Sequence, residues 1–243
     1  MVFIRTVFAA HPFWITVLLS AILVPSAIAA RSPKPVMLTT VEWNGKSFNV
    51  VVADLSRADL RVHLKGAVPP NAIVLTNAGI FDSVVKPTGL LVEDGVERSP
   101  LNLKDGQGNF YLKPNGVFFV GEEGARVIES SEYPVLKKGV KQATQSGPLL
   151  VRKGVVHEKF SEGSQNALVR SGIGVNKEGH VVMAISKDPV TFFDFATLFR
   201  DALSCPDALY LDGVISTLRA PSAGLKKWNR SAFAGVISLS VHR

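Results

Sequence analysis

Val41-Glu42-Trp43-Asn44-Gly45-Lys46-Ser47-Phe48-Asn49-Val50-Val51-Val52 decides the fold class. Two runs of strand-forming residues flank Asn44-Gly45. Both turn residues tolerate positive φ, so the spacing predicts a two-residue hairpin. Further segments repeat this plan with Gly at the turn: Leu90–Glu97 around Asp94-Gly95, Leu149–Val156 around Lys153-Gly154, Ile173–Val182 around Gly179, and Gly116–Ile128 around Gly121 to Gly124. Tight turns join antiparallel neighbours. The expectation is an α+β fold, mainly antiparallel β-sheet with few helices, in a single compact domain.

Shorter apolar runs fill out the sheet. Leu60–Leu64 alternates as a strand. Ala72–Thr76 reads as a buried strand that stops at Asn77-Ala78-Gly79, and Ala208–Leu211 as another that stops at Asp212-Gly213. One helix is predicted after Thr191. That residue can cap it, Asp194 completes the cap, and Phe192, Phe195, Ala196, Phe199 and Leu203 make one apolar face that ends before Pro206.

The N-terminus belongs to a different class. Arg5, a mostly apolar run from Phe13 to Val24, and Ala27-Ile28-Ala29 describe a secretory signal over residues 1–29, with an uncleaved anchor as its rival. Residues 30–40 read as a linker and 41–243 as the domain. Export to the periplasm or the medium is therefore expected, with no membrane span left after cleavage. The whole chain has 243 residues, a net charge of +7 and one Cys, which excludes an internal disulfide. Losing the signal removes Arg5 and no acidic residue, so the charge falls from +7 to +6. No basic run or basic–aromatic ladder accompanies that charge, so nucleic acid is not expected as a partner.

Several chemistries are also missing. There is no Gly-x-Ser-x-Gly and no His-Glu-x-x-His. Ser83-Val84-Val85-Lys86 has the letters of Ser-x-x-Lys, but Pro87 follows and no helix carries it. Cys205 sits beside Pro206 without a hydrolase signature and reads as a small buried thiol. The five His are dispersed, whereas Asp and Asn at strand ends leave an oxygen-ligated divalent cation open. No cofactor is called for.

What remains is a set of polar turns. They are Asn77–Asp82, Leu103–Phe110, Lys113–Gly116, Gln145–Pro148, Arg170–Gly174 and Leu211–Ser216. Each alone is ordinary turn chemistry. Together they offer amides, carboxylates and an Arg at strand ends, a set suited to sugars and phosphates.

These same blocks resemble the phosphodiester glycosidase domain family. The resemblance runs through Asn77-Ala78-Gly79-Ile80-Phe81, then Lys104-Asp105-Gly106-Gln107-Gly108-Asn109-Phe110, Gln145-Ser146-Gly147-Pro148, and Leu209-Tyr210-Leu211-Asp212-Gly213 with Ser216. It covers roughly Val41 to Leu239, in the family's order. The Lys-Asp-Gly-x-Gly-Asn-Phe block is its most specific piece. Two departures stand out: Ala78 replaces a Gly, and Val214-Ile215 replaces a Gly pair before Ser216. The second narrows backbone access near Ser216 and bears on which substrate fits.

The resemblance implies an exported hydrolase that cleaves a sugar from a sugar-1-phosphodiester in envelope or extracellular polysaccharide. Its competitor is a non-catalytic envelope module that binds such polymers. On the hydrolase reading, Asp212 is the carboxylate at the anomeric carbon and Arg170 the phosphate anchor, with Asn77 the third catalytic candidate. Gly79, Phe81, Asp82, Lys104, Asp105, Lys113, Asn115, Gln145, Ser146, Gly147, Gly213 and Ser216 are the expected substrate-binding set. Asp82 and Asp105 are the reserve carboxylates.

Overall fold

A computed structural model describes residues 34–64, 69–213, 215–226, 228 and 233–242. The expected signal over residues 1–29 lies outside them. Strands run as β1 (Val36–Trp43), β2 (Lys46–Ala53), β3 (Ala58–Leu64), β4 (Val74–Asn77), β5 (Leu91–Glu93) and β6 (Val96–Ser99). Next come β7 (Gly116–Gly121), β8 (Gly124–Glu129), β9 (Gln142–Ser146), β10 (Leu149–Arg152), β11 (Val155–Val156) and β12 (Ser171–Val175). The series closes with β13 (Val181–Ser186), β14 (Asp207–Asp212), β15 (Leu218–Arg219) and β16 (Gly235–Val241). Two short helices join them, α1 (Tyr133–Leu136) and α2 (Phe192–Thr197).

The strands form three sheets in which every described pairing is antiparallel: a seven-stranded sheet ordered β1-β2-β13-β12-β14-β10-β11, a four-stranded sheet β15-β4-β16-β3 and a five-stranded sheet β6-β5-β9-β7-β8. The hairpins sit where the turn residues require. Trp43 pairs with Lys46 across Asn44 and Gly45, whose φ values are 48° and 69°. Asp94-Gly95 and Lys153-Gly154 repeat that left-handed pair. The first strand begins at Val36, so residues 36–40, expected as linker, belong to the sheet. Their short alternating pattern, with Pro35 just before it, hides the strand in the sequence; pairing with β2 stabilises it.

The seven-stranded sheet is the central layer. One face carries Val51, Ile173, Met183, Leu209 and Leu211 against Leu60, Val62, Ile237 and Leu239 of the four-stranded sheet and Phe118 and Leu91 of the five-stranded one. The other face buries Phe48, Val50, Val182 and Tyr210 under Phe195, Leu198 and Phe199 from α2 and the turn after it. The Thr191 side chain accepts the Asp194 N–H at 3.0 Å, the predicted cap. Among the described residues, no helix is long and apolar enough to cross a membrane.

Candidate active site

The ends of the three sheets meet at one place. β4 ends there on Asn77, β9 on Gln145 and Ser146, and β14 on Asp212, which pairs with Ser171 at the start of β12. The ladder between β12 and β14 shifts there: Gly172 faces Tyr210 and Ser171 faces Asp212, leaving Leu211 as an extra residue. Such a bulge turns the strand end and re-aims the residues after it. Its loose carbonyls are taken by hydroxyls. Ser146 Oγ donates to Leu211 O at 3.0 Å, and Ser216 Oγ to Asp212 O at 2.6 Å.

Ser171 is the hub. Its Oγ lies 3.1 Å from Asn77 Nδ2, 3.1 Å from Ser216 Oγ and 3.2 Å from Asp212 O. Asn77 Oδ1 accepts the Thr217 N–H at 3.2 Å, fixing the amide's orientation. Asp212 is half-buried, and its Oδ1 accepts the Gly213 N–H at 2.6 Å. Asn77, Ser171, Asp212 and Ser216 therefore form one hydrogen-bonded group across two sheets.

Arg170 is next to Ser171 in sequence, but strand alternation sends its side chain to the opposite face. It is fully buried. Its Nε donates to Val190 O and its Nη2 to Asn166 O, both at 2.9 Å. The guanidinium lies 3.7 Å from the centre of the Phe192 ring and 5.6 Å from that of Tyr210. Burial lowers its pKa. Tyr210 is pushed up to about 12, first by burial, with Arg170 pulling the other way and Asp212 adding to the rise. Arg170 thus reaches the Asp212 end through Tyr210 and offers no surface of its own.

The other expected binding residues divide into two groups. Gly79, Ser146, Gly147 and Gly213 belong to the meeting point. A Cβ on Gly79 would strike the Gln145 backbone, and one on Gly147 would stand 2.6 Å from Phe110 O. Phe81 bridges to Pro87 and packs with Leu75, Ile215 and Trp228 beside it. Gln145 and Asn115 are spent on the fold. Gln145 Oε1 accepts the N–H groups of Leu90 and Asn102 at 3.0 and 2.9 Å, while its Nε2 donates to Asn102 O and Ser130 Oγ. Asn115 Nδ2 donates to Phe110 O at 2.9 Å.

The charged loop residues lie on exposed turns. Asp82 is exposed and accepts the Val84 and Lys86 N–H groups, which makes Ser83–Lys86 a turn and not a catalytic helix. Lys113 pairs with the exposed Asp105 at 2.6 Å, and Lys104 is exposed beside them. Cys205 is fully buried, and burial raises its thiol to about 12, in keeping with an inert core residue.

Sequence reasoning passed over Ser171, Tyr210 and Phe192. A Ser beside Arg170 and a Tyr two residues before Asp212 were the available signals. A Ser–His–Glu set lies elsewhere among the described residues: Ser238 Oγ sits 2.8 Å from His63 Nε2, and His63 Nδ1 sits 3.5 Å from Glu93 Oε1. Ser238 is only 3% exposed in a strand interior, so the set ties two sheets and presents no nucleophile. Among the described residues, no group of three His, Cys, Asp or Glu gathers as a metal site.

Residues 70–233, which contain the whole Asn77–Ser171–Asp212 group, match the family model for phosphodiester glycosidase. The chain belongs to the phosphodiester glycosidase family. It is 34% identical over 163 residues to the uncharacterized protein YigE of Escherichia coli (strain K12), a match covering 67% of this chain and 63% of that one. It therefore spans less than two thirds of YigE's length. The fold is also that of the zebrafish N-acetylglucosamine-1-phosphodiester alpha-N-acetylglucosaminidase catalytic domain, solved in a form auto-inhibited by its pro-peptide. There the TM-score is 0.58 at 15% identity, over 88% of this chain and 85% of that one. A hypothetical protein from Synechocystis shares the fold at a TM-score of 0.56 and 15% identity, over 84% and 61% of the two chains.

Proposed function

We propose that the protein is an exported hydrolase that releases a sugar from a sugar-1-phosphodiester of envelope or extracellular polysaccharide. The observation that carries this reading is the position of Asp212 in a phosphodiester glycosidase chain: at the bulged end of β14, tied to Asn77 through Ser171. Export is supported by the basic, apolar, Ala-x-Ala order of residues 1–29.

The chemistry asks for two kinds of help. Water attacks the anomeric carbon and its proton passes to Asp212, while the bond from that carbon to the phosphate oxygen breaks with its electron pair on the oxygen. The leaving phosphate monoester is far more acidic than an alcohol, so a strong general acid at that oxygen contributes less than in ordinary glycoside hydrolysis. Stabilising charge matters more: a carboxylate beside the oxocarbenium-like carbon and positive charge on the phosphate side. Asp212 takes the first role. Arg170, set behind Tyr210, takes the second, and Asn77, Gly213 and Ser216 surround the sugar end.

Asp212→Asn tests this. Sugar release from a panel of sugar-1-phosphodiesters, assayed with Ca²⁺, with Mg²⁺ and with chelator, should fall by about a hundredfold or more. Ligand binding and melting temperature should stay near wild type. Wild-type protein that binds envelope polymer and releases no sugar from any member of the panel would make it a binding module instead.

A further inference from the structure

Two open recesses of about 520 and 620 Å³ run into each other along Pro87, Ser99 and Pro100. They make one groove between two walls, the turn Asp82–Thr88 and the segment from Arg98 to Lys104. Both walls are fastened to the candidate site. Phe81 pairs with Pro87, and Ile80 O accepts the Thr88 N–H at 3.1 Å, so the first wall folds back on the segment that leads out of Asn77. In the second wall the Asn102 N–H donates to Gln145 Oε1 at 2.9 Å, one residue before Ser146, and Asn102 Nδ2 donates to Thr88 O at 2.8 Å. The span from site to groove is short. The Ala78 N–H donates to Gly235 O at 3.0 Å, and Gly235 pairs with Leu64, which lines the groove. Leu64 therefore stands two strands from Ala78, about 10 Å at ordinary strand spacing.

Each half of the groove carries an exposed cation, and the stretch they share is uncharged. Lys86 lines one half and Lys104 the other, and neither ammonium is in an ion pair among the described residues. Arg98 adds a third positive group, shared with Glu93 at 3.2 Å. The carboxylate of the lining, Asp82, is engaged by its own turn, where Oδ1 accepts the Val84 and Lys86 N–H groups. Those bonds hold Val85 at a φ of 57°, which a β-branched residue adopts only under constraint, and so fix the backbone that carries Lys86. A lone phosphate needs one cationic place. Cations in both halves, with Ser99 and two proline rings between them, complement a chain that carries phosphates at intervals and a sugar between them. An open trough also lets such a chain run on past the site.

We propose that this groove holds the remainder of a poly(sugar phosphate) chain whose terminal sugar lies at Asp212, with Lys86 and Lys104 on phosphates beyond the one that is cut. This rests on the sugar-phosphodiester reading and names the substrate as a repeating phosphodiester.

Binding is measured by calorimetry on Asp212→Asn, which leaves the ligand intact, with synthetic 1-phosphate-linked oligomers of N-acetylglucosamine, glucose and mannose. Oligomers with several phosphodiesters should bind about tenfold tighter than the same sugar with a single one, the scale of a charge-assisted contact. Raised salt should shrink that gain. The turn uses the backbone of Lys86 and leaves its side chain exposed, so Lys86→Glu keeps the fold. Adding Lys86→Glu should cancel the gain, and Lys86→Arg should keep it. In the protein with Asp212 intact, Lys86→Glu should raise KM for the longer oligomers and leave kcat unchanged. Affinity that does not grow with chain length overturns the proposal, and so does growth that survives Lys86→Glu combined with Lys104→Glu. Tighter binding of a sugar 1-phosphate ester of a long-chain alcohol would make the groove a hydrocarbon site and overturn it as well. If affinity grows with length through Lys86 while wild type releases no sugar from any oligomer, the hydrolase reading falls and the groove stands. If wild type releases sugar with a KM independent of length, the groove falls and the hydrolase stands.

Discussion

Gln145 lies in a polar turn, where an amide suits a sugar hydroxyl, and the fold uses it differently. Its carbonyl oxygen caps the backbone N–H groups of Leu90 and Asn102, and its nitrogen holds the Asn102 carbonyl and the Ser130 hydroxyl. The backbone partners cannot find water once buried. Gln145→Met should therefore destabilise the protein by about 3 kcal/mol, read as a lower urea midpoint with unchanged slope, since each orphaned buried group costs roughly 1–3 kcal/mol. Asp212 and Asn77 keep the places their strand ends imply, because a strand that stops on a polar residue has only the sheet edge to offer it. Ser171 could not be singled out in the same way. Its importance comes from being opposite Asp212 and within reach of Asn77, 94 residues away in sequence.

At the scale of elements, turn chemistry was the legible part. Asn44-Gly45, Asp94-Gly95 and Lys153-Gly154 fix their hairpins because few other residues accept positive φ at both places. The cap of α2 was equally local: Thr191 and Asp194 sit three apart, and the hydroxyl meets the third helical N–H. Thr191→Ala should cost about 1 kcal/mol, measured by equilibrium unfolding, and Thr191→Asp should recover most of it. The β14 bulge was not legible. An extra residue in one strand is defined only against its partner, and Leu211 looks no different from its neighbours in sequence. That same bulge turns the strand end at Asp212, so the feature that shapes the site was the one the pattern of single strands could not carry. The early start of β1 has a similar origin, since only pairing with β2 reveals it.

For the whole molecule, stability should depend on pH through two buried histidines. His63 links the four- and five-stranded sheets through Ser238 and Glu93, and His157 stacks on Phe160 and bonds to Lys113 O. Burial holds both below the ordinary imidazole value of 6.5, with Glu93 opposing it at His63. The unfolded chain then binds protons more readily than the folded one below about pH 6.5. Stability is therefore full above that value and falls as pH drops toward the depressed folded pKa values. Urea unfolding from pH 7.5 to 5.5 should show this decline, and the His63→Gln, His157→Gln pair should flatten it.

The sequence by itself determined the antiparallel class, the hairpin turns, the capped helix and the places of Asn77 and Asp212 at strand ends, because turn φ angles, helix periodicity and strand ends are local properties. Only the tertiary structure decided that three sheets end at one place, that Ser171 joins Asn77 to Asp212, and that Arg170 stands behind Tyr210. Those facts depend on register and on which face a side chain takes. Both are set by packing between segments far apart in the chain, where a single extra residue at Leu211 changes where the strand end points.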